Sequence, residues 1–268
     1  MFRSLSLSSR YVVVAVFLFC TAGIAFAGSL LGIDAYSTNL GVVDRDNGAW
    51  TPIGPAGAVI TGMAYDSNHG ILYGISPDAD TLFGINEHTG AAYPLGSVGS
   101  LGYDNANGLA YDPLNDILYG TDNNTNDLFT VDPATGVAHR IATISGGFTE
   151  IEGLGFDPNT RTLYGLTQLQ SRIVSIDVTT GVATAVSDEL PSRVWRGLEW
   201  DSEWNVLYLS AVNIFQNAEI WNFNPDGGRL DFRGYSVGVE GIQGLAFIPE
   251  PSAVLLCLVA ATVLARRR

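Results

Sequence analysis

The sequence contains no lysine, and all thirteen of its basic residues are arginine. Five of these (Arg3, Arg10, Arg266, Arg267 and Arg268) lie at the two ends. Residues 28–248 therefore carry 8 arginines against 26 acidic residues, a formal charge of −18. Phosphate binding needs a basic footprint, so this balance argues against nucleic acid as a partner. It suits a solvated exterior, a divalent cation or a neutral ligand instead. Cysteine is nearly missing too. Cys20 and Cys257 both fall in the hydrophobic ends, which leaves the central span without disulfides or thiol chemistry. Its stability must come from packing, even in an oxidising compartment.

Catalytic signatures are equally scarce. There is no Gly-x-Ser-x-Gly elbow, no phosphate loop and no dinucleotide fingerprint. Of the three histidines, His69 and His88 fall in turns of different repeats and His139 falls in an outer strand, so a multi-histidine zinc site is not expected. Glu150 and Glu152 are two residues apart, which puts both on one face of a strand. A paired-carboxylate hydrolase also needs a set separation and one raised pKa, and sequence alone supplies neither.

The ends set an address. Arg3 and Arg10 precede an apolar run that closes on Ala25-Phe26-Ala27, with small residues at both positions a signal peptidase inspects. Residues 1–27 read as a secretory signal peptide cut after Ala27, with an uncleaved anchor as the alternative. At the other end, Pro249-Glu250-Pro251 precedes a 14-residue apolar segment, 252–265, and then Arg266-Arg267-Arg268. That segment is shorter than the ~20 residues of an ordinary spanning helix. The arginines would hold the cytoplasmic side.

What lies between is repetitive. Gly62-Met63-Ala64-Tyr65-Asp66 recurs as Gly108-Leu109-Ala110-Tyr111-Asp112, Gly153-Leu154-Gly155-Phe156-Asp157, Gly197-Leu198-Glu199-Trp200-Asp201 and Gly244-Leu245-Ala246-Phe247-Ile248, at spacings of 46, 45, 44 and 47 residues. A near-constant period of this length marks a repeat architecture. Each repeat holds four short apolar runs separated by turn residues, which indicates an antiparallel sheet. The turn before the fourth run begins with Asp or Asn and ends in Gly, at Asp44–Gly48, Asn86–Gly90, Asp132–Gly136, Asp177–Gly181 and Asn224–Gly228. The side chain caps such a turn, and glycine supplies the positive φ that leaves it. The first repeat lacks its first strand and the last has only that strand. Five four-stranded blades therefore close into a ring when residues 244–248 join the N-terminal blade, as in a β-propeller. The aromatics at Tyr73, Tyr119, Tyr164 and Tyr208, and at Tyr65, Tyr111, Phe156, Trp200 and Phe247, are expected to fill the spaces between blades.

Two resemblances follow. Pro249-Glu250-Pro251, the short apolar segment and the terminal arginines resemble the PEP-CTERM sorting signal of Gram-negative bacteria. That resemblance implies an exosortase-like processing enzyme, transient residence of the C-terminal helix in the inner membrane, removal of the tail, and delivery to the cell surface or an extracellular polysaccharide matrix. The repeat Gly-Leu-Ala-Tyr-Asp-Pro, Leu-Tyr-Gly, Leu-Phe-x-Val-Asp-x-x-Thr-Gly resembles the YVTN/NHL-like propeller proteins. Such propellers host enzymes, binders and scaffolds alike.

The propeller resemblance implies a binding face at one mouth of the central channel. The residue before each repeat glycine is polar: Thr61, Asn107, Glu152, Arg196 and Gln243. These five are expected to ring the mouth, supported by Asp104, Asn105, Glu150, Arg193 and Trp195. The alternative is that they only terminate inner strands and hold water. Asp122-Asn123-Asn124-Thr125-Asn126-Asp127 is the richest oxygen-donor stretch, and its carboxylates Asp122 and Asp127 are the calcium candidates. It lacks the glycine and closing glutamate of an EF-hand, and a polar loop is the plain alternative. Trp195 and Trp50 are the loose candidates for a sugar platform. The expectation is thus a signal peptide (1–27), an all-β five-bladed propeller (28–248) and a sorting tail (249–268). The favoured role is a non-enzymatic surface or matrix module that requires no cofactor and meets polysaccharide or surface proteins. The alternative is a lyase or lactonase-like hydrolase with a divalent cation at the mouth.

Overall fold

The computed structural model describes residues 28–250, in which all regular structure is β-strand. The expected signal peptide with Ala25 and Ala27, the apolar tail segment, Pro251 and the three terminal arginines lie outside the described residues.

Three strands come first: β1 (Ser29–Asp34), β2 (Asn39–Val43) and β3 (Trp50–Pro55). Blade 1 consists of β4 (Gly62–Asp66), β5 (Ile71–Ser76), β6 (Thr81–Ile85) and β7 (Ala92–Leu95). Blade 2 consists of β8 (Ala106–Asp112), β9 (Ile117–Asp122), β10 (Asp127–Val131) and β11 (Ala138–Thr143). Blade 3 consists of β12 (Ile151–Asp157), β13 (Thr162–Thr167), β14 (Arg172–Ile176) and β15 (Ala183–Ala185). Blade 4 consists of β16 (Val194–Asp201), β17 (Val206–Val212), β18 (Ala218–Asn224) and β19 (Arg229–Ser236), and β20 (Ile242–Ile248) is last.

Each blade is a four-stranded antiparallel sheet, and β20 completes the fifth in the order β20-β1-β2-β3. The closing register sets Ser29 opposite Ile248 and Leu31 opposite Ala246. The two ends of the span thereby cover each other's open edge. The five-bladed ring and its closing strand are as the repeat arithmetic requires.

Local chemistry explains the blades. Asp132 Oδ1 accepts the N–H of Ala134 at 2.9 Å, and its Oδ2 accepts the Thr135 hydroxyl at 2.8 Å. Gly136 then leaves the turn at φ +71, a conformation that costs glycine nothing. Asp44, Asn86, Asp177 and Asn224 cap the equivalent turns through the same oxygen. A second set of caps lies on the same face, at the ends of the inner strands. Asp66, Asp112, Asp157 and Asp201 are buried there, each accepting the N–H two residues on. Charge-assisted bonds of this kind make burial of a carboxylate tolerable.

Blades meet through aromatic rings. Tyr119 of blade 2 stacks on Phe156 of blade 3 at 6.3 Å, and Tyr164 of blade 3 on Trp200 of blade 4 at 6.1 Å. Burying one such ring contributes on the order of 1.5–3 kcal/mol. The repeat glycine has a steric cause. A Cβ on Gly62 would lie 2.2 Å from the Asn107 carbonyl oxygen of the next blade. The same clash is passed around the ring, ending with Gly244 against Met63 of blade 1. Only glycine lets five inner strands come this close to the axis. Hydroxyls then stitch neighbours together. Thr121 Oγ1 accepts from the Gly108 N–H and donates to the Ile151 carbonyl, both at 3.1 Å. Ser210 does the same between Gly197 and Ile242, at 2.8 and 2.7 Å.

Apart from β4, the inner strands begin before the glycine, at Ala106 in β8 and Val194 in β16. Of the oxygen-rich stretch Asp122–Asp127, only residues 123–126 form a turn, because Asp122 and Asp127 are strand residues.

Candidate functional site

Inner strands of blades 2, 3, 4 and the closing blade each carry an extra residue against the next strand. The register shifts fall between Ala106 and Leu109, Ile151 and Gly153, Trp195 and Leu198, and opposite Gly32 and Asp34. Asn107, Glu152, Arg196 and Gln243 lie within these bulges. A bulge bends the strand and re-aims its side chain. In blade 1 Thr61 precedes β4, and its hydroxyl donates to the Ala106 carbonyl at 2.7 Å.

All five ring residues line one cavity of about 460 Å³. The loops after the second strands add Asp78, Asn123 and Asn124, and the segments before the inner strands add Asn105 and Glu150. Beneath the ring, Met63, Leu109, Leu154, Leu198 and Leu245 close the channel, leaving no room for a water molecule. The mouth is thus a polar bowl with an apolar floor. The far end of the channel is an aromatic recess of about 60 Å³ with Tyr65, Tyr111, Phe156, Trp200 and Phe247 around it. The span begins and ends at that far end, where Ser29 pairs with Ile248.

The bowl is built to accept hydrogen bonds. Burial pushes the Glu152 carboxyl up to about 7, with Arg196 drawing it down, Glu150 raising it further, and a bond from Asn123 lowering it. That bond, from Asn123 Nδ2 to Glu152 Oε1, is 3.0 Å. Asn107 Nδ2 donates to the Asn105 carbonyl at 3.1 Å, and Asn105 Nδ2 to Asn124 Oδ1 at 3.2 Å. Asn123 Oδ1 and Gln243 Oε1 are buried and accept no hydrogen bond from the described residues. Glu150 adopts φ +54, outside the usual range for a side chain of its size. A buried acceptor set, one guanidinium and a carboxyl near neutrality can orient hydroxyls or move a proton.

Other expected site residues lie elsewhere. Trp195 is fully buried, its Nε1 donating to the Pro191 carbonyl at 3.2 Å, so it offers no face to a ligand. Arg193 Nε pairs with buried Glu219 at 2.7 Å. Asp104 holds Asn124 at the rim through a 2.8 Å bond. Trp50 is half-buried and packs over Gly41. Asp122 accepts the Thr125 and Asn105 N–H groups at 2.7 and 2.9 Å, which fixes Asn105 at the mouth. Asp127 pairs with Arg140 at 2.9 Å. The sequence reading had no role for Asp78 or Glu199. Asp78 belongs to the loop equivalent to that of Asn123, and repeat alignment of those loops would have found it. Glu199 stands where Ala64, Ala110, Gly155 and Ala246 stand, among the aromatics of the far recess. Burial holds its carboxyl well above the usual range, against a backbone hydrogen bond at Phe247.

A family model described as a repeat of unknown function (DUF6923) matches residues 35–214. The chain belongs to this family. A comparison with curated proteins finds no match. Among solved structures, a chain of a nidogen/laminin complex is 14% identical with a TM-score of 0.56, over 81% of this chain and 97% of that one. A Bacteroides thetaiotaomicron protein of unknown function is 14% identical with a TM-score of 0.60, over 83% and 62%. A Xanthomonas campestris gluconolactonase is 17% identical with a TM-score of 0.51, over 80% and 78%. Likeness at this level establishes the propeller fold alone.

Proposed function

We propose that this chain is an exported, surface- or matrix-associated propeller whose channel mouth binds a small polyhydroxylated ligand without chemical turnover. The observation that carries the reading is the convergence of all five ring residues on one closed-bottomed cavity of about 460 Å³. A module that only displayed its surface would not need such a bowl. Asn123 Oδ1, Gln243 Oε1 and the Glu152 carboxyl match ligand hydroxyl donors, and Arg196 matches an acceptor. The cavity suits one or two sugar rings, and an acidic domain favours a neutral ligand over an anionic one.

Export supplies the setting. The signal peptide (1–27) and the Pro249-Glu250-Pro251 sorting tail route the domain through signal peptidase and an exosortase-like enzyme to the surface or polysaccharide matrix.

Glu152 supports a second reading. A carboxyl brought to about 7 is poised for general acid–base work. Together with the gluconolactonase likeness, that supports a lactonase-like hydrolase or a lyase, with a divalent cation such as calcium at the mouth. One experiment separates the two. Neutral sugars and a lactone are offered to the full chain, with binding read by calorimetry and turnover by product formation. Binding without turnover is expected. Turnover abolished by Glu152→Gln would establish the hydrolase instead.

A further inference from the structure

The face opposite the mouth carries a second cluster. Asp66 ends β4, and its Oδ1 accepts the N–H groups of Asn68 and His69, both at 2.9 Å. Its Oδ2 lies 2.8 Å from His69 Nδ1. Asp116, from the turn after β8 in the next blade, brings Oδ1 to 3.7 Å from the same nitrogen. The three donor atoms all lie within 4.8 Å of one another.

Sibling blades show how unusual this is. The residue three after the capping aspartate is Asn115 in blade 2 and Thr160 in blade 3. These bond Oδ2 of Asp112 and Asp157 at 2.8 and 2.6 Å. An amide or a hydroxyl suffices to satisfy the carboxylate, yet blade 1 uses an imidazole. The left-handed turn position held by Asp116 is Arg161 in blade 3 and Asn205 in blade 4. Among the described residues, only at the boundary of blades 1 and 2 do a histidine and a carboxylate face the buried aspartate together.

We propose that Asp66, His69 and Asp116 bind one divalent transition-metal ion, of the zinc class, which bridges blades 1 and 2. Zinc takes imidazole nitrogen and carboxylate oxygen at about 2.0–2.2 Å in tetrahedral geometry, and the edges of that tetrahedron are about 3.3 Å. The distances of 2.8 and 3.7 Å from Nδ1 bracket that edge. Two carboxylates and a neutral imidazole balance the ion's charge. Tyr111 donates its hydroxyl to Asp116 Oδ1 at 2.6 Å, a bond from outside the ligand set that fixes the carboxylate. The His69 and Asp116 side chains are 56% and 60% exposed, so an ion can enter from solvent and keep a water as its fourth ligand.

The test uses the full chain after chelation, titrated with zinc by calorimetry and with cobalt by visible absorption. One ion per chain is expected, with a d–d band of low coordination number and a rise in melting temperature. His69→Asn copies Asn115 and keeps the bond to Asp66, so it should fold normally and weaken binding at least tenfold. Asp116→Asn should weaken it similarly, whereas His88→Ala should leave it unchanged. No saturable binding, or binding that survives His69→Asn, would overturn the site. A protonated imidazole bridging the two carboxylates would then be its whole role.

Discussion

Arg45 Nη1 lies 2.7 Å from Oδ2 of Asp201, and the aspartate side chain is completely buried. The two residues are 156 positions apart in sequence. Arg45 belongs to the turn between β2 and β3 of the closing blade, and Asp201 ends the inner strand of blade 4. The guanidinium also stacks 4.5 Å over Trp204 and reaches Glu203 at 3.1 Å. The pair is thus a clasp across the boundary next to the closing strand.

Arg45→Ala should therefore be costly. It strands a buried carboxylate, and breaking a buried pair in this way costs about 3–5 kcal/mol. Arg233 and Asp46 sit 3.2 Å apart nearby, but Asp46 is 76% exposed. Asp46→Ala should change stability by no more than about 1 kcal/mol. Urea melts of both variants check the contrast, and equal effects would remove the clasp.

The ring of glycines makes a sharper demand. A Cβ at position 153 would fall 2.3 Å from the backbone nitrogen of Leu198, which cannot yield as a side chain can. Gly153→Ala should destabilise by about 3 kcal/mol or more, or prevent folding. Gly227→Ala meets nothing within 4 Å and should stay within about 0.5 kcal/mol of the parent. Thermal melts of the two variants suffice.

Glu152 gives stability a pH dependence. Its carboxyl moves from 4.5 to about 7 on folding, so the fold favours the protonated form. That contribution is complete below about pH 4.5 and is lost as pH rises through 7. The full effect is on the order of 3 kcal/mol, at 1.36 kcal/mol per unit. Glu152→Gln should therefore be the more stable protein at pH 8 and lose much of the difference between pH 5 and pH 8. Identical pH profiles for the two proteins would contradict the buried carboxyl.

The proposed exosortase-type sorting rests on the tail. Replacing Pro249-Glu250-Pro251 with alanines in an exporting host should leave the precursor uncut and in the membrane fraction. Normal shortening and release of that variant, followed by immunoblot, would remove the exosortase reading.

Much of this was legible in the sequence because its signals are local and repeated. The capped turns at Asp132–Gly136 and its four counterparts, the inner glycines and the missing first strand together determine blade number and closure. The five ring residues were legible for the same reason: each precedes a repeat glycine. Other features depend on contacts between blades, which periodicity does not report. Trp195 looked like a mouth residue until β16 extended back to Val194 and drew it into the core. Asp78 joins the bowl through a loop 29 residues before Asn107 in sequence. Asp116 meets His69 only because neighbouring turns touch across a blade boundary. Asp122 looked like a metal ligand, yet it caps a turn and anchors Asn105, a role that needs the fold to be seen.

The bowl ringed by Thr61, Asn107, Glu152, Arg196 and Gln243 is the proposed binding site. Saturation-transfer difference NMR on the full chain, with a panel of neutral mono- and disaccharides, tests it most directly when paired with Asn107→Trp, which fills the bowl from its rim. At least one sugar should give a saturable signal, and the variant should lose it while melting at the parent's temperature. No signal from any sugar, or a signal that survives the filled bowl, would contradict the account.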